Sequence, residues 1–420
     1  MKHSDLLMNN ATPDSPETSP AMAPAMTWTE RGTSTYRRTS IALFLAGFVT
    51  FTLVYDVQPL LPEFATDFHV SAATSSLALS VTTAALAIAI LCAGAGSEMF
   101  GRRGLMFASM CVASLLNIAQ AFVPGWHSFL ILRALEGIVL GGVPAVAMAY
   151  LAEEIHPKGL GLTMGLYVGG TAFGGMAGRV LSGIIAEYTS WRWSVGIIGV
   201  VDLMMTFAFI MLLPPSRNFE RQLKFDAGYH LQAWAGHLKH SGLPYVFMIG
   251  GLSMGAFVTV YNYVAFRLVA PPYELNQTHL GAIFAVYLLG IVASSTAGAM
   301  VDKVGRAPVL LTGLSIMLAG IAATLLHPLF WVIAGIALVT IGFFVTHSVA
   351  SGWVGRMAAN TKGHAASLYL LAYYTGSSIA GWVGGWFWAV EGWFAVAAFT
   401  GALIACALAA GLHLARTHPG

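Results

Sequence analysis

The chain has 420 residues, of which 57% are hydrophobic and 9% are charged, and its formal net charge is +2. A soluble protein of this length could not bury so many apolar side chains, so the composition indicates an integral membrane protein. The small net charge gives no reason to expect a nucleic-acid partner. The three cysteines lie in apolar segments without a CxxC or Cys/His cluster, so we expect no disulfide, metal or other cofactor.

Residues 1–40 are rich in Pro, Ser, Thr, Ala and Met and end in a basic anchor, which predicts a disordered cytoplasmic tail. Twelve apolar segments of about 20 residues follow, each long enough to cross a hydrocarbon core about 30 Å thick. We number them spans 1 to 12, and they lie near residues 41–61, 73–97, 104–123, 128–151, 160–185, 193–213, 244–269, 279–300, 307–326, 329–352, 364–387 and 392–413.

The spans divide into two groups of six that are nearly equal in length. We therefore predict an all-α membrane protein with twelve transmembrane helices in two pseudo-symmetric six-helix bundles, residues 41–213 and 244–413. A cytoplasmic linker, 214–243, joins the bundles, and a short cytoplasmic tail, 414–420, follows the second. Apolar residues in the linker indicate a helix along the membrane surface, although a loose linker would explain them equally well.

The lysines and arginines predict the orientation of the spans. Cytoplasmic loops carry an excess of these residues in multi-pass membrane proteins. With the N-terminus inside, the tail, the loops after even-numbered spans and the C-terminus carry most of the 20, and an outside loop contains only Arg192. We therefore expect a multi-pass membrane protein with both termini in the cytoplasm.

One motif occurs twice, each time in a turn between two spans. Gly94, Glu98, Gly101 and Arg102 lie around the turn after span 2, and the pattern returns at one constant offset after span 8 as Gly298, Asp302, Gly305 and Arg306. A match that extends over half a chain indicates duplicated architecture. The alternative is two unrelated basic turns, which four matched positions disfavour.

The repeated turn resembles the signature of the major facilitator superfamily, Gly-x-x-x-Asp-(Arg/Lys)-x-Gly-Arg-(Arg/Lys), found between helices 2 and 3 and often echoed between helices 8 and 9. The first copy departs from it at Glu98 and Met99, whereas the second keeps Asp302 and Lys303. The resemblance implies the fold of that superfamily, in which this loop clamps the two halves together on the cytoplasmic side. The eight motif residues are therefore expected to form a conformational gate.

Glycines recur at four-residue spacing in spans 5 and 11, which predicts close helix pairs between the two bundles. In span 5, Gly170-x-x-x-Gly174-Gly175-x-x-Gly178-Arg179 resembles an antiporter motif of the superfamily, Gly-x-x-x-Gly-Pro-x-x-Gly-Gly. Gly175 replaces the proline and Arg179 replaces the last glycine. Because the match to the motif is partial, the resemblance gives partial support for antiport.

Three ionisable residues lie at related depths in spans 1 and 4. At 1.5 Å per residue, Asp56 and Arg133 both lie roughly 8–9 Å below the outer face of the membrane core. Glu136 shares a helix face with Arg133. Charged side chains inside a membrane are costly. We predict that these three form a proton-coupling site, in which protonating one acid frees the arginine for the other or for substrate. A static charge pair between the helices is the alternative.

Polar and aromatic residues in other spans indicate a substrate cavity. Tyrosine and asparagine suit an amphipathic ligand, although tyrosine belts at the membrane interface are an equally common explanation. We predict that the cavity is lined by Gln58, Asp202, Tyr261, Asn262, Tyr263, Tyr373 and Tyr374. Arg179 and Asp202 could instead pair structurally, and His347 is expected to be a hydrogen-bonded structural residue.

Several stretches resemble one branch of the superfamily, the YnfM-type inner-membrane transporters described as drug or arabinose efflux proteins. They include Tyr55-Asp56-Val-Gln58-Pro59, Gly174-Gly175-Met-Ala-Gly178-Arg179 and Tyr261-Asn262-Tyr263. The resemblance extends over nearly the whole chain after the tail. It implies the fold and topology more specifically than the substrate.

We therefore predict a secondary active transporter, not an enzyme, that exports a small amphipathic or sugar-like molecule. It is expected to work as a monomer in the lipid bilayer, driven by the proton gradient. Uptake or facilitated diffusion of a small solute needs no change of fold and is the alternative. A membrane-embedded enzyme would require a catalytic cluster and a sensor would require a large soluble appendage, and the sequence indicates neither.

Overall fold

The computed structural model describes residues 28–219, 227–358 and 361–418, apart from the side chains at 93–100, 145 and 227. Within these ranges the regular structure is helical, with one isolated β-bridge between Thr29 and Ile155. Residues 1–27 of the predicted tail lie outside the described residues. The first helix begins at Ser34 rather than 41, because the Thr33 hydroxyl accepts the N–H of Tyr36 and caps it.

The N-terminal half contains spans 1 to 6. They are Ser34–Tyr55, Ala72–Ser75 with Leu77–Phe100, Arg102–Gln120, Trp126–Leu140 with Pro144–Glu154, Pro157–Tyr188, and Trp191–Leu212, and a short helix, Leu61–Asp67, follows span 1 outside the membrane-spanning segments. Span 4 is split before Pro144, because proline has no N–H to continue the hydrogen-bond ladder.

The C-terminal half contains spans 7 to 12. They are Leu243–Val269, Gln277–Ile283 with Tyr287–Val304, Arg306–Ala323, Leu329–Met357, and the long helix Lys362–Thr417. This last helix holds spans 11 and 12 and leaves helical geometry at Glu391 and Gly392. A further helix, Ala227–Leu238, lies in the linker, of which residues 220–226 are outside the described residues.

Within the described residues, eight helices are long and apolar enough to cross a membrane. They correspond to spans 1, 2 and 6 to 12, since Lys362–Thr417 contains two of these spans. Spans 3, 4 and 5 are also helical but are not among these eight. Span 3 carries buried polar side chains, span 4 is split, and span 5 is rich in glycine.

The helix ends define two ends of the molecule. The linker side of span 7 meets the end of span 12, where Gly242 lies against His418. Near the start of span 1, the Tyr36 hydroxyl donates to the carbonyl oxygen of Gly159 at 2.8 Å. Arg38 in turn donates to the carbonyl oxygen of Met211 at 2.8 Å. We call this the termini end, and we call the opposite end, with the loops after odd-numbered spans, the far end.

Glycines in span 5 allow close packing inside the N-terminal half. A Cβ at Gly170, Gly174 or Gly178 would clash with backbone atoms of span 1. In the C-terminal half, a Cβ at Gly376 of span 11 would clash in the same way with Gly251 of span 7. For these four glycines the expected contact between bundles is wrong, because each faces a helix of its own half. Gly385 of span 11 does make the expected contact, since a Cβ there would clash with the backbone of Ala73 in the N-terminal half.

The two halves meet at the far end. Gly183 of span 5 lies against the backbone of Gln277 in span 8, and the carboxylate of Glu187 accepts the N–H of Gln277 at 2.8 Å. Between spans 2 and 11, the Ser378 hydroxyl donates to the carbonyl oxygen of Ser80 at 2.7 Å. Spans 2, 5, 8 and 11 thus close this end of the molecule.

The two repeated turns share one backbone conformation. Gly101 has φ +85° and Gly305 has φ +86°, in the left-handed region that side chains disfavour. Each glycine directly precedes the helix that begins with the motif arginine, Arg102 or Arg306. The duplication visible in the sequence is therefore present in the backbone.

Candidate proton-coupling and substrate site

Span 1 is interrupted at the depth of its acidic residue. Its first helix ends at Tyr55, and the chain becomes helical again at Leu61. Pro59 lies in this interruption and has no N–H to donate, so one helix cannot run through it. As a result, Asp56 faces the interior of the N-terminal half, whereas Gln58 faces the C-terminal half.

The guanidinium of Arg133 lies at the centre of the predicted coupling site. Its Nη1 is 2.6 Å from Oε2 of Glu136 and 3.7 Å from Oδ1 of Asp56. Nη1 and Nη2 also donate to the carbonyl oxygens of Leu53 and Val54, at 3.0 and 2.9 Å. All three charged side chains are fully buried. The structure thus brings Asp56, Arg133 and Glu136 together inside the N-terminal half.

Two amide side chains of span 3 complete this cluster, and the sequence analysis missed them. Asn117 Nδ2 donates to Asp56 Oδ2 at 3.1 Å, and Gln120 Nε2 donates to Glu136 Oε2 at 2.8 Å. Residues three apart lie on one helix face. Two amides on one face of an apolar span are therefore the signal that could have found them.

Asp202 lies with this cluster rather than at the boundary between the halves. Its side chain is buried and interacts electrostatically with Asp56 and Glu136. Among the described residues, neither of its carboxyl oxygens has a hydrogen-bond partner, and it makes no ion pair with Arg179. A cavity-lining role does not fit this position, because the side chain faces the interior of its own half.

A pair of hydrogen bonds at Gln58 links Arg179 to the other half. Arg179 Nε donates to Gln58 Oε1 at 2.5 Å, and Gln58 Nε2 donates to Asn262 Oδ1 at 2.6 Å. Gln58 and Asn262 are 204 residues apart, the offset that also separates the two repeated turns. Equivalent positions of the two halves therefore contact each other on the pseudo-symmetry axis.

Tyrosine rings surround this boundary. The guanidinium carbon of Arg179 is 4.0 Å from the ring centroid of Tyr55 and 4.5 Å from that of Tyr287. Tyr373 and Tyr374 are buried and lie near Tyr55 across the boundary. The structure thus places both of these span 11 tyrosines in the region predicted to bind substrate.

The two tyrosines of span 7 face different surroundings. The ring of Tyr261 lies 5.6 Å from the guanidinium carbon of Arg179, and its hydroxyl bonds to Thr340 Oγ1 at 2.7 Å. Tyr263 instead donates its hydroxyl to the carbonyl oxygen of Gly381 at 2.8 Å, within the C-terminal half. The Tyr263 side chain also interacts with Ser76 of the N-terminal half. Tyr263 therefore lies at the boundary between the halves, but on the other side of span 7 from Tyr261, since residues two apart on a helix point to nearly opposite sides.

His347 makes a structural contact in span 10. Its Nδ1 lies 2.9 Å from the hydroxyl of Tyr369, and its ring packs 4.8 Å from that of Tyr373, centroid to centroid. This matches the hydrogen-bonded role expected from the sequence.

The sequence profile of the Major Facilitator Superfamily matches residues 40–268 and 252–420, which together include all twelve spans. The chain belongs to this superfamily. Its members are membrane transporters, so the alternative of a membrane-embedded enzyme is excluded.

Two bacterial relatives match over nearly their whole length. The uncharacterized MFS-type transporter YybF of Bacillus subtilis (strain 168) is 44% identical over 93% of this chain and 97% of the relative. The inner membrane transport protein YnfM of Escherichia coli (strain K12) is 40% identical over 92% of this chain and 93% of the relative. The resemblance to the YnfM-type branch is thus confirmed.

Solved structures share the fold at low sequence identity. A bacterial homolog of the human lysosomal transporter Spinster, in an inward-facing and unoccupied conformation, has a TM-score of 0.71 and 12% identity. The match covers 91% of this chain and 96% of that chain. The human organic anion transporter MFSD10 has a TM-score of 0.66 and 16% identity, covering 90% and 99%. The predicted fold class is confirmed.

The superfamily's signature loop makes different contacts in its two copies. Arg102 of the first copy forms an ion pair with Glu153 of span 4, with Nη2 2.6 Å from Oε1. The surroundings of Gly94 and Glu98 fall outside the described residues. In the second copy, Asp302 is exposed and makes no ion pair with another described residue. Among the described residues, an ion pair is thus present at the first turn and absent at the second.

Proposed function

We propose that this transporter is a proton-coupled antiporter that exports a small amphipathic or sugar-like molecule across the inner membrane. It works as a monomer, since the boundary between its two halves lies within one chain. Both termini lie in the cytoplasm. The observation that carries the proposal is the buried cluster of Asp56, Arg133 and Glu136, in which one guanidinium contacts two carboxyl groups.

The charge balance of this cluster favours proton binding. Asp56 and Glu136 contact the single guanidinium of Arg133, and a third carboxyl group, that of Asp202, lies near both of these acids. A carboxylate without a partner is strongly unfavourable in a low-dielectric interior, so acids in excess of the cation hold protons. Loss of a proton from Asp56 draws Arg133 toward it, and rebinding releases Arg133 toward Glu136. The cluster therefore has the two arrangements that proton coupling requires.

The interruption of span 1 connects this cluster to the boundary between the halves. Arg133 donates to the carbonyl oxygens of Leu53 and Val54, which lie in the last turn before the break. Gln58 lies just beyond the break and bonds to Asn262 in the other half. A movement of Arg133 thus changes the end of the first helix and, through it, the position of Gln58. Protonation can in this way bias the opening between the halves.

Everted membrane vesicles with an acidified interior test both coupling and direction. Labelled L-arabinose, ethidium and benzoate serve as probes, and an internal pH dye reports proton flux. We expect the wild type to accumulate at least one probe while protons leave the vesicle. Asp56→Asn and Glu136→Gln should bind the same probe without accumulating it. Asp67→Asn, an acid-to-amide change outside the spans, should behave like the wild type.

Three results would contradict the proposal. Accumulation at the wild-type rate by both variants would show that the cluster is a static charge pair. Probe movement without proton flux in the wild type would show facilitated diffusion. Accumulation confined to right-side-out vesicles would show uptake.

A further inference from the structure

Arg179 carries a charge that the protein does not neutralise. Its side chain is fully buried at the boundary between the halves. Among the described residues it forms no ion pair with a carboxylate, and its Nη2 has no hydrogen-bond partner. The sequence places it where the superfamily's antiporter motif ends in glycine. The proposed proton coupling uses Arg133 and leaves Arg179 without a role.

The groups around Arg179 are neutral. Nε donates to Gln58 Oε1 and Nη1 donates to the carbonyl oxygen of Gly175, both at 2.5 Å. The rings of Tyr55 and Tyr287 lie against the guanidinium, one from each half of the molecule. Cation–π contacts of this kind offset only part of the cost of an uncompensated buried ion. The site therefore lacks a negative charge.

We propose that Arg179 binds the anionic group of an organic monoanion, such as a carboxylate or sulfonate, with an aromatic or apolar body. The free Nη2 donor provides a directed, charge-assisted hydrogen bond to one oxygen of the anion. The rings of Tyr55, Tyr261 and Tyr287 provide apolar contact for the body. The single cation matches a single negative charge. The proposal rests on the proposed function in that this anion is the transported molecule.

Binding to the purified protein in detergent, without any gradient, tests this site. Isothermal titration compares benzoate with its neutral analogue benzamide at constant ionic strength. We expect benzoate to bind and benzamide to bind at least about tenfold more weakly, the loss expected for one charge-assisted hydrogen bond. Arg179→Gln should weaken benzoate binding by at least a similar factor. Arg192→Gln, a control at the exposed far end, should leave it unchanged.

A second variant keeps the test decisive if Arg179→Gln does not fold. Gln58→Glu places a carboxylate of almost the same shape beside Arg179, where Gln58 Oε1 already accepts its Nε. This internal counterion should raise the melting temperature and abolish benzoate binding. A folded Gln58→Glu protein that binds benzoate as well as the wild type would overturn the proposal.

Other outcomes would also overturn it. The first is equal affinity for benzoate and benzamide. The second is binding of chloride or inorganic phosphate as tightly as benzoate. The third is undiminished benzoate binding in folded Arg179→Gln. Absence of anion-selective binding for benzoate, 4-phenylbutyrate and benzenesulfonate would do so as well. Because binding needs no gradient, Asp56→Asn should still bind benzoate, so a failure of coupling and a failure of this site give different results.

Discussion

At the scale of single residues, the buried cluster depends on Arg133. Its side chain contacts Asp56 and Glu136 and donates to two backbone carbonyl oxygens at the end of the first helix. Removing one partner of a buried ion pair costs about 3–5 kcal/mol, because the remaining charge is left uncompensated. Arg133 therefore links stability and transport in one side chain.

Substitutions at Arg133 should separate these two effects. Arg133→Ala is expected to lower the free energy of unfolding by about 3–5 kcal/mol. Arg133→Lys should restore folding better than transport, because an ammonium is a point charge and cannot bridge two carboxylates as a planar guanidinium does. Unfolding of the purified protein and accumulation in everted vesicles measure the two effects, with Arg192→Lys as a control. Full recovery of both by lysine would show that the planar geometry has no role.

At the scale of helices, close packing of spans 1 and 5 depends on glycine. The backbones approach so closely that a Cβ at Gly174 would clash with the carbonyl oxygen of Phe48. Gly165 lies on the same helix, but no atom of the surrounding structure lies within 4 Å of its Cβ position. The two positions therefore differ in packing while sharing the same helix.

Alanine at these two glycines should have opposite effects. Gly174→Ala is expected to destabilise the protein by about 1–3 kcal/mol, the range for overpacking. Gly165→Ala should be neutral or slightly stabilising, since alanine favours helix more than glycine does. Melting temperatures in detergent measure both. Similar melting of the two variants would contradict the packing described for Gly174.

At the scale of the whole molecule, the contacts between the halves lie at the far end, next to an acidic group. Glu63 lies in the short helix Leu61–Asp67, outside the membrane-spanning segments. Burial and the nearby carboxylates of Glu187 and Asp67 raise the pKa of Glu63 to about 7. Glu187 also accepts the N–H of Gln277 from the other half. Ionisation of Glu63 therefore places a like charge near this contact.

The sign of the resulting pH dependence follows from the direction of the shift. Because the folded protein holds the proton more tightly than the unfolded chain, stability should fall as pH rises from about 4.5 to about 7. Glu63→Gln should remove this part of the pH dependence. Melting temperatures across pH 4 to 8 measure it, with Glu30→Gln as a control. If the melting temperature of Glu63→Gln changed with pH as that of the wild type does, other groups would cause the loss of stability.

The orientation in the membrane can be tested with single cysteines in a cysteine-free background. Thr66 and Glu274 are exposed at the far end, and Lys158 and Lys303 are exposed at the termini end. We expect an impermeant thiol reagent to label Thr66→Cys and Glu274→Cys in intact cells. Lys158→Cys and Lys303→Cys should react only after the membrane is opened. The reverse pattern would overturn the cytoplasmic assignment of the termini.

The all-α fold, the twelve spans and the duplicated halves are predictable from the amino-acid sequence alone. These follow from the length of apolar segments and from turns that need glycine, which are properties of short stretches of chain. The sequence also predicts that Asp56, Arg133 and Glu136 lie close together, because depth along a span can be counted residue by residue.

Which side chains share a site depends on tertiary contacts. These contacts place Asp202 near Asp56 and Glu136, put Tyr263 between Gly381 of its own half and Ser76 of the other, and leave Arg179 without a counterion among the described residues. They also place Gly174 against span 1 rather than against the other half. The physical reason is that the rotation of each helix about its axis is set by contacts with neighbours distant in sequence. No local pattern in the chain encodes that rotation.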